Sequence, residues 1–359
     1  MLNYAGALAH FSKITYTRYK RLRAHFTSFE ELWQAEVAEL TAAGLPEGVA
    51  YEFIAWREKN NVEKITEQLA RHGIRTISID DSDYPSLLSQ IPDPPHTLFV
   101  RGILPSSRQP SVAVVGTRSA SQYGRQAAHH AVTELAAAGV AVISGLALGI
   151  DGIAHQAALD AGGLTVAVLG SGVDTATIYP AAHRKLAEDI LAAGGAIITE
   201  YAPGFMPTNY SFPARNRIIA GLTLGTLVVE APVISGALIT ARAALDYNRE
   251  VFAIPHPITS ENGAGGNKLI QQGALLVETA ADILEALQIT AIRAAVSPQP
   301  PTPTNATERA LFAVLSHEPQ HIDALIKKSE LPSAEVMSCL TILEMHGTVK
   351  NIGNMTYRF

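Results

Sequence analysis

Short apolar runs alternate with alanine-rich stretches of helical periodicity between about residues 86 and 290. Each run has about the length of a strand that is buried on both faces. Most runs are followed by glycine or small polar residues and then by a helical stretch. This alternation predicts an α/β fold, a Rossmann-like parallel sheet with right-handed crossover helices on both faces. The runs are residues 112–115, 140–143, 165–169, 196–198, 227–229 and 251–254.

The regions on either side of this core have helical patterns of their own. Residues 1–85 carry apolar faces, for example at Leu40 with Ala43 and at Ile65 with Leu69, and predict a small helical domain. The core then extends over residues 86–290. A proline-rich linker over residues 291–306 and a separate domain over residues 307–359 complete the chain.

The last domain has three apolar-faced helical segments followed by a hairpin-like tail. Ser333 is the expected N-cap of the third segment. Three helices and a hairpin predict a winged helix, with an unspecific helical tail as the alternative. From residue 333 to residue 349 there is no Lys or Arg, so a duplex-reading transcriptional regulator is a weak alternative function.

Composition excludes several classes of protein. The 359 residues contain no run of about 18 apolar residues and no signal-like N-terminus, so we expect a cytoplasmic protein without membrane association. The single cysteine, Cys339, excludes an internal disulfide and argues against a zinc site. The net charge of −6 does not favour nucleic acid, yet residues 1–29 hold five basic residues and no acid. A locally positive surface can therefore coexist with a negative total.

Three loops that follow predicted strands are rich in glycine and hydroxyl side chains, namely residues 116–124, 144–151 and 170–174. Ligands of doubly wound sheets bind beyond the carboxyl ends of the strands. Glycine lets the backbone approach a ligand, and the following helix presents free N–H groups to an anion. The loops predict a phosphate-binding rim, with ordinary small-residue turns as the alternative.

The spacing within these loops disfavours nucleotide cofactors. Thr117 and Arg118 follow Gly116, so the G-x-G-x-x-G fingerprint fails. Around position 136 the chain reads LAAA (135–138), with no acid at the right place to bind a ribose. A P-loop is absent from the sequence as well. We therefore expect no cofactor, no metal ion and no NAD or ATP chemistry.

A further segment favours a polynucleotide. Phe205 lies in a loop of glycine and proline, and Arg215 and Arg217 flank Asn216 near the start of a helix. Guanidinium groups pair with phosphates, and bases stack on an exposed aromatic ring. The alternative pairs one of these arginines with Glu200 or Glu230 inside the fold.

Five strings together resemble the DNA processing protein A family, also called DprA or Smf. They occur in the family's order: VGTR (115–118), SGLALGID (144–151), GSGVD (170–174) followed by Tyr179-Pro180, FPARNRIIAG (212–221) and SGALITA (235–241). His256-Pro257 departs from the glycine usual in the family. The resemblance implies an N-terminal domain of the sterile-alpha-motif (SAM) type and a C-terminal winged helix.

The resemblance implies a non-enzymatic protein that binds and protects single-stranded DNA during natural transformation and helps load the RecA recombinase. It also implies a homodimer, whose contact we place around Leu269 and Ile270. No catalytic residue is expected. The candidate DNA-binding residues are Gly116, Arg118, Ser119, Gly145, Ser171, Gly172, Arg184, Lys185, Phe205, Arg215, Asn216 and Arg217.

An enzyme is the main alternative. Related Rossmann-like folds include nucleoside monophosphate N-glycosidases, and Asp151, Glu200 and Glu230 stand at predicted strand ends where carboxylates can act as acid and base. The Pro-Gly-Gly-x-Gly-Thr loop of those enzymes is missing, and residues 263–267 are the nearest string.

Overall fold

The computed structural model describes residues 2–289, 306–316, 320–345, 349–353 and 355–358. They belong to two compact units, Met1–Arg293 and Ala294–Phe359. Of the predicted linker, only residue 306 is described, and its proline-rich part lies outside the described residues. Within the described residues, no helix combines the length and the apolar character that a membrane span requires.

The first unit begins with six short helices, of which the first five share an apolar core. Tyr19 and Phe53 are fully buried in this core. Side-chain caps define several of the helix starts, as where the Asn61 side chain accepts from the Glu63 N–H at 2.7 Å. The helices are α1 (Tyr4–Ala9), α2 (Tyr16–His25), α3 (Phe29–Gln34), α4 (Val37–Ala42), α5 (Glu47–Arg57) and α6 (Val62–Arg71).

A nine-stranded sheet forms the centre of this unit, in the order β1-β2-β6-β5-β4-β3-β7-β8-β9. The strands from β6 to β9 in this order are parallel, whereas β2 pairs antiparallel with both β6 and β1. The strands are β1 (Arg75–Ser78), β2 (Thr97–Gly102), β3 (Ser111–Val115), β4 (Ala141–Ser144), β5 (Thr165–Val168), β6 (Ala196–Thr199), β7 (Gly225–Val228), β8 (Glu250–Ala253) and β9 (Leu275–Leu276).

Helices cover both faces of the sheet. Val112 and Val114 of β3 pack in one cluster with α8, α9 and α14, whereas Ala113 and Val115 pack in another with α7, α11 and α12. Burial on both faces explains why these strands are continuous apolar runs. The helices are α7 (Ser86–Ser89), α8 (Gln122–Ala137), α9 (Ile150–Asp160), α10 (Arg184–Ala192), α11 (Ser211–Gly221), α12 (Gly236–Asp246), α13 (Ala264–Gln271) and α14 (Ala280–Ala286).

The antiparallel end of the sheet differs from the prediction. Arg75 to Ser78 form β1, so the sheet begins inside the region that we expected to be helical. Strand β2 was not predicted either, although its residues 97–100 are buried. The helical region packs on this end, since Ala7 and Leu69 share a cluster with Phe99 of β2 and Ile197 of β6.

The second unit contains three helices and a small antiparallel sheet in the order β10-β12-β11. Leu311, Leu325 and Leu340, one from each helix, are fully buried together. Its third helix begins at Ser333, so this residue is the first of the helix and not the N-cap that we expected, a difference of one position. The elements are α15 (Ala306–Phe312), β10 (Gln320–His321), α16 (Ile322–Ser329), α17 (Ser333–Met345), β11 (Lys350–Asn351) and β12 (Thr356–Arg358).

Candidate nucleic-acid interface

A cleft opens where the strand order reverses. From β3 the sheet continues through β4 to one side and through β7 to the other, so the loops after these strands diverge at their carboxyl ends. This cavity, which we call the switch-point cleft, has a volume of about 500 Å³. Its lining includes Arg118 after β3, Ala147 after β4, Ser235 after β7, and Phe212 and Asn216 of α11.

Among the described residues, Arg118 is the exposed cation that lines this cleft. Its guanidinium carbon lies 5.3 Å from the centroid of the Phe212 ring. The Phe212 ring lies 5.6 Å from the ring of Tyr179, which also lines the cleft and is 49% exposed. An exposed guanidinium beside two aromatic rings can bind a phosphate while the rings stack a base. The sequence motifs contained Tyr179 and Phe212, but we assigned no role to them.

Phe205 lies elsewhere. Its ring stacks on Tyr201, with the ring centroids 4.3 Å apart and the planes at 9°. The pair lines a second cleft, against the N-terminal helical region. Asp93, Glu200 and Arg217 line this second cleft too, and because Arg217 is paired with Glu200 it is not available to a phosphate. The expectation of an unpacked Phe205 beside Arg118 is therefore wrong.

Arg215 and Arg217 point to opposite sides of α11, because two residues turn a helix by about 200°. Arg217 donates to Glu200 at 2.5 Å, within the second cleft. The alternative that paired one arginine with Glu200 inside the fold is correct for this residue.

Arg215 is buried and braces the turns after β4 and β5. Its Nη1 donates to the Val168 carbonyl at 2.6 Å. A Cβ on Gly145 would lie 1.7 Å from the same nitrogen, so any side chain there would displace the guanidinium. Burial lowers the pKa of Arg215 to about 10, against the opposing attraction of Asp151. Arg215 remains cationic at neutral pH, and it forms part of the wall of the cleft while its side chain stays buried.

Asn216, Gly116 and Ser119 have different positions around the cleft. The Asn216 side chain lines it and donates to the Gly236 carbonyl at 3.2 Å. Gly116 lines it as well, and a Cβ there would lie 2.4 Å from a side-chain carbon of Ile150. Ser119 is exposed on the same loop, and its N–H donates to the Thr117 hydroxyl at 3.2 Å.

The third glycine-rich loop, residues 170–174, is covered by the loop that carries Phe205. Ser171 and Gly172 are buried, and the Gly172 N–H donates to the Phe205 carbonyl at 2.9 Å. Arg184 and Lys185 are exposed at the start of α10. Arg184 donates to the Ala176 carbonyl at 2.7 Å, and Lys185 pairs with Asp189 at 2.7 Å. These four residues do not line the switch-point cleft.

The N-terminus of α8 already holds an anion. Glu230, which follows β7, is fully buried, and its Oε2 accepts from the Ser121 N–H at 2.8 Å. A Cβ on Gly124, in the first turn of α8, would lie 2.2 Å from this oxygen. The positive end of the helix, which we expected to face a bound phosphate, is therefore occupied by an internal carboxylate.

The carboxylates of the enzyme alternative are engaged within the protein. Asp151 is buried and accepts from the Gly145 N–H at 3.1 Å, and burial raises its pKa, opposed mainly by Arg215. Glu200 pairs with Arg217, and Glu230 lies against α8. Over the described part of the chain, no three His, Cys, Asp or Glu side chains are grouped as possible metal ligands.

A doubly wound sheet with an arginine-and-aromatic cleft at its switch point, and no nucleotide fingerprint, defines the class as a Rossmann-like ligand-binding protein. Comparison with known proteins identifies the family. Residues 75–288 match the family model described as DNA recombination-mediator protein A, and residues 295–352 match the DprA winged helix domain. The chain belongs to the DNA processing protein A (DprA/Smf) family.

Two curated relatives and two solved structures support this assignment. Protein Smf of Escherichia coli is 37% identical over 91% of this chain and 87% of its own length. DprA of Streptococcus pneumoniae is 44% identical over 58% of this chain and 73% of its own length. The X-ray structure of S. pneumoniae DprA has a TM-score of 0.67 at 34% identity, covering 79% of this chain and 98% of that one. Helicobacter pylori DprA, solved to explain its single-stranded DNA binding mode, has a TM-score of 0.52 at 29% identity, covering 60% and 95%. The predicted Rossmann-like core and winged helix are confirmed.

Proposed function

We propose that this protein binds and protects single-stranded DNA through the switch-point cleft. The observation that carries the proposal is the placement of Arg118 over Phe212, with the exposed ring of Tyr179 beside them. In a single strand the faces of the bases are free to stack on such rings, whereas a duplex hides them. The single-stranded DNA binding mode of the H. pylori relative supports the same ligand class.

The cleft supplies other groups suited to a nucleic-acid backbone. Thr117 and Ser235 bring hydroxyls and Asn216 brings an amide to its walls. Within the described chain, Arg118 and Arg215 are the cations that line it. With Arg215 buried, Arg118 is the principal phosphate contact, so affinity comes from a few polar contacts together with stacking.

The test is fluorescence anisotropy with a labelled single-stranded oligonucleotide and its duplex, across a salt series. Arg118→Ala is expected to weaken single-strand binding roughly tenfold or more, because a charged hydrogen bond is lost. It should also reduce the salt slope by about 0.7, the value for one phosphate contact on a single strand. Arg242→Ala is the matched control, since Arg242 is an exposed arginine paired with Asp246 on α12.

The proposal fails if Arg118→Ala and Arg242→Ala bind the single strand equally well. It fails also if the duplex binds as tightly as the single strand to the unaltered protein, because the rings would then have no part in selecting the ligand.

We infer further that the protein is a non-enzymatic cytoplasmic homodimer that helps load RecA on the bound strand during natural transformation. The family resemblance supports this role. The engagement of Asp151, Glu200 and Glu230 within the fold supports a binding function over acid–base catalysis. Release of free base from nucleoside monophosphates by the purified protein would contradict the non-enzymatic assignment.

A further inference from the structure

Glu230 contacts both ends of the loop that carries Arg118. Its backbone carbonyl accepts from the Thr117 N–H at 2.7 Å, just before Arg118. Its carboxylate accepts from the Ser121 N–H at 2.8 Å, at the far end of the loop. One residue from the strand β7 side therefore holds the segment 117–121 at two points.

The other restraints on this loop are longer or act through the backbone alone. The Ile150 N–H donates to the Thr117 carbonyl at 3.2 Å, and the Asn262 side chain donates to the Ser119 carbonyl at 3.3 Å. Ser121 is also the N-cap of α8, where its hydroxyl accepts from the Gly124 N–H at 3.0 Å. The Glu230 carboxylate thus holds the residue at which the loop ends and the helix begins.

Burial strengthens the contact between Glu230 and Ser121. The Glu230 side chain is 0% exposed, and the His256 ring, 1% exposed, lies beside it with Nε2 4.0 Å from Oε1. Neither Oε1 nor this Nε2 has a hydrogen-bond partner among the described residues. Because water does not screen the buried carboxylate, its hydrogen bond with the Ser121 N–H and its attraction to the positive end of α8 are both stronger than those of an exposed carboxylate.

We propose that Glu230 is a positioning residue for DNA binding, which holds the Arg118 loop in the geometry that aims the guanidinium into the cleft. The inference rests on the proposed function of that cleft. Glu230 itself does not line the cleft, so it acts through the loop and not by touching DNA.

The test measures single-strand affinity for Glu230→Ala, Glu230→Asp, Glu230→Gln, Arg118→Ala and the double variant Glu230→Ala/Arg118→Ala. Glu230→Ala is expected to lose about as much affinity as Arg118→Ala, roughly tenfold. The double variant should bind no more weakly than Arg118→Ala alone, because both substitutions remove the same contact, that between Arg118 and the DNA.

Conservative variants separate positioning from charge. Glu230→Gln should retain most of the affinity of the unaltered protein. Its amide oxygen can accept from the Ser121 N–H, and its amide N–H can donate to His256 Nε2. Glu230→Asp keeps the charge, but it is one methylene shorter and should bind as weakly as Glu230→Ala. If Glu230→Ala does not fold, the order of Gln above Asp still decides the question.

Ile283→Ala is the control for a general loss of stability, because Ile283 is fully buried in the apolar cluster that includes residues of α8. It should leave affinity unaltered. Additive losses in the double variant, or an Asp variant that binds better than the Gln variant, would overturn the positioning role. A harmless Arg118→Ala would instead refute the proposed function, so the two failures are distinguishable.

Discussion

At the residue scale, side chains with the same chemistry have very different surroundings. Arg118 is exposed at a cleft, Arg215 is a buried brace, and Arg217 is paired with Glu200. The same holds for the aromatic residues, because Phe205 packs on Tyr201 whereas Tyr179 presents a half-exposed ring to the cleft. Only the residues that combine a suitable group with exposure at the cleft are expected to bind DNA directly.

We predict that Tyr179→Ala weakens single-strand binding by about 1–3 kcal/mol, the usual value of one stacked base. Tyr179→Phe keeps the ring and should bind nearly as well as the unaltered protein. Phe205→Ala is the matched aromatic control and should change affinity little, because its ring lies in the second cleft. Titration of the three variants with one oligonucleotide checks this, and a larger loss from Phe205→Ala would return the stacking role to Phe205.

At the element scale, α9 is joined to the sheet by a buried histidine. His155 Nδ1 lies 2.7 Å from the Thr165 hydroxyl of β5, which itself donates to the Val142 carbonyl of β4 at 2.8 Å. Because the Thr165 hydroxyl donates its proton to the Val142 carbonyl, it can only accept from His155, so His155 Nδ1 carries the proton and is the donor. Burial lowers the pKa of His155 from 6.5 to about 3, with smaller contributions from His183 and Arg215.

This burial makes stability depend on pH. The unfolded chain protonates His155 below pH 6.5 while the folded chain keeps it neutral down to about pH 3, so the unfolded state binds more protons in that window. Stability contributed by neutral His155 is complete above pH 6.5 and is lost as pH falls toward 3, by up to about 1.4 kcal/mol per pH unit. Urea unfolding from about pH 7.5, above this window, down to about pH 4.5, inside it, measures the slope. His155→Gln should lower it, and an unaltered slope would contradict the assignment.

At the scale of the whole molecule, the order of strands leaves β9 at one end of the sheet. Leu275 and Leu276 of β9 are 43% and 46% exposed, and the half-buried Leu269 and Ile270 lie on the neighbouring helix α13. An open edge strand with exposed leucines is suited to pairing with another chain. This surface is where we place the proposed dimer contact.

We predict that Ile270→Glu combined with Leu276→Lys converts a dimer into a monomer in analytical ultracentrifugation. Opposite charges keep the net charge unaltered, so a change in mass reports the contact and not general repulsion. Ile103→Glu, at an exposed apolar residue far along the sheet after β2, is the control and should leave the dimer intact. A double variant that sediments as the unaltered protein does would exclude this edge.

Much of the fold follows from local patterns. The six predicted runs became β3 to β8 with ends that differ by at most two residues, because a strand buried on both faces must be apolar throughout. The start of the last helix, found within one residue of the prediction, and the failure of the dinucleotide fingerprint at Gly116 also depend on neighbours in the chain. Strand β1 escaped prediction because its pattern of exposed and buried residues is mixed, whereas β2 escaped although residues 98–100 form a short apolar run.

The composition of the cleft required the tertiary structure. Local sequence contains no information on which strands are adjacent, and the Ser121–Glu230 bond joins residues 109 apart. That bond places a carboxylate where the glycine- and hydroxyl-rich loop after β3 predicted an open anion site. In the same way, packing of the 202–206 loop over Gly172 removed the third loop from the surface, and Glu200 engaged Arg217. Residue types and periods are properties of the chain, whereas exposure and partners depend on distant segments that only folding brings together.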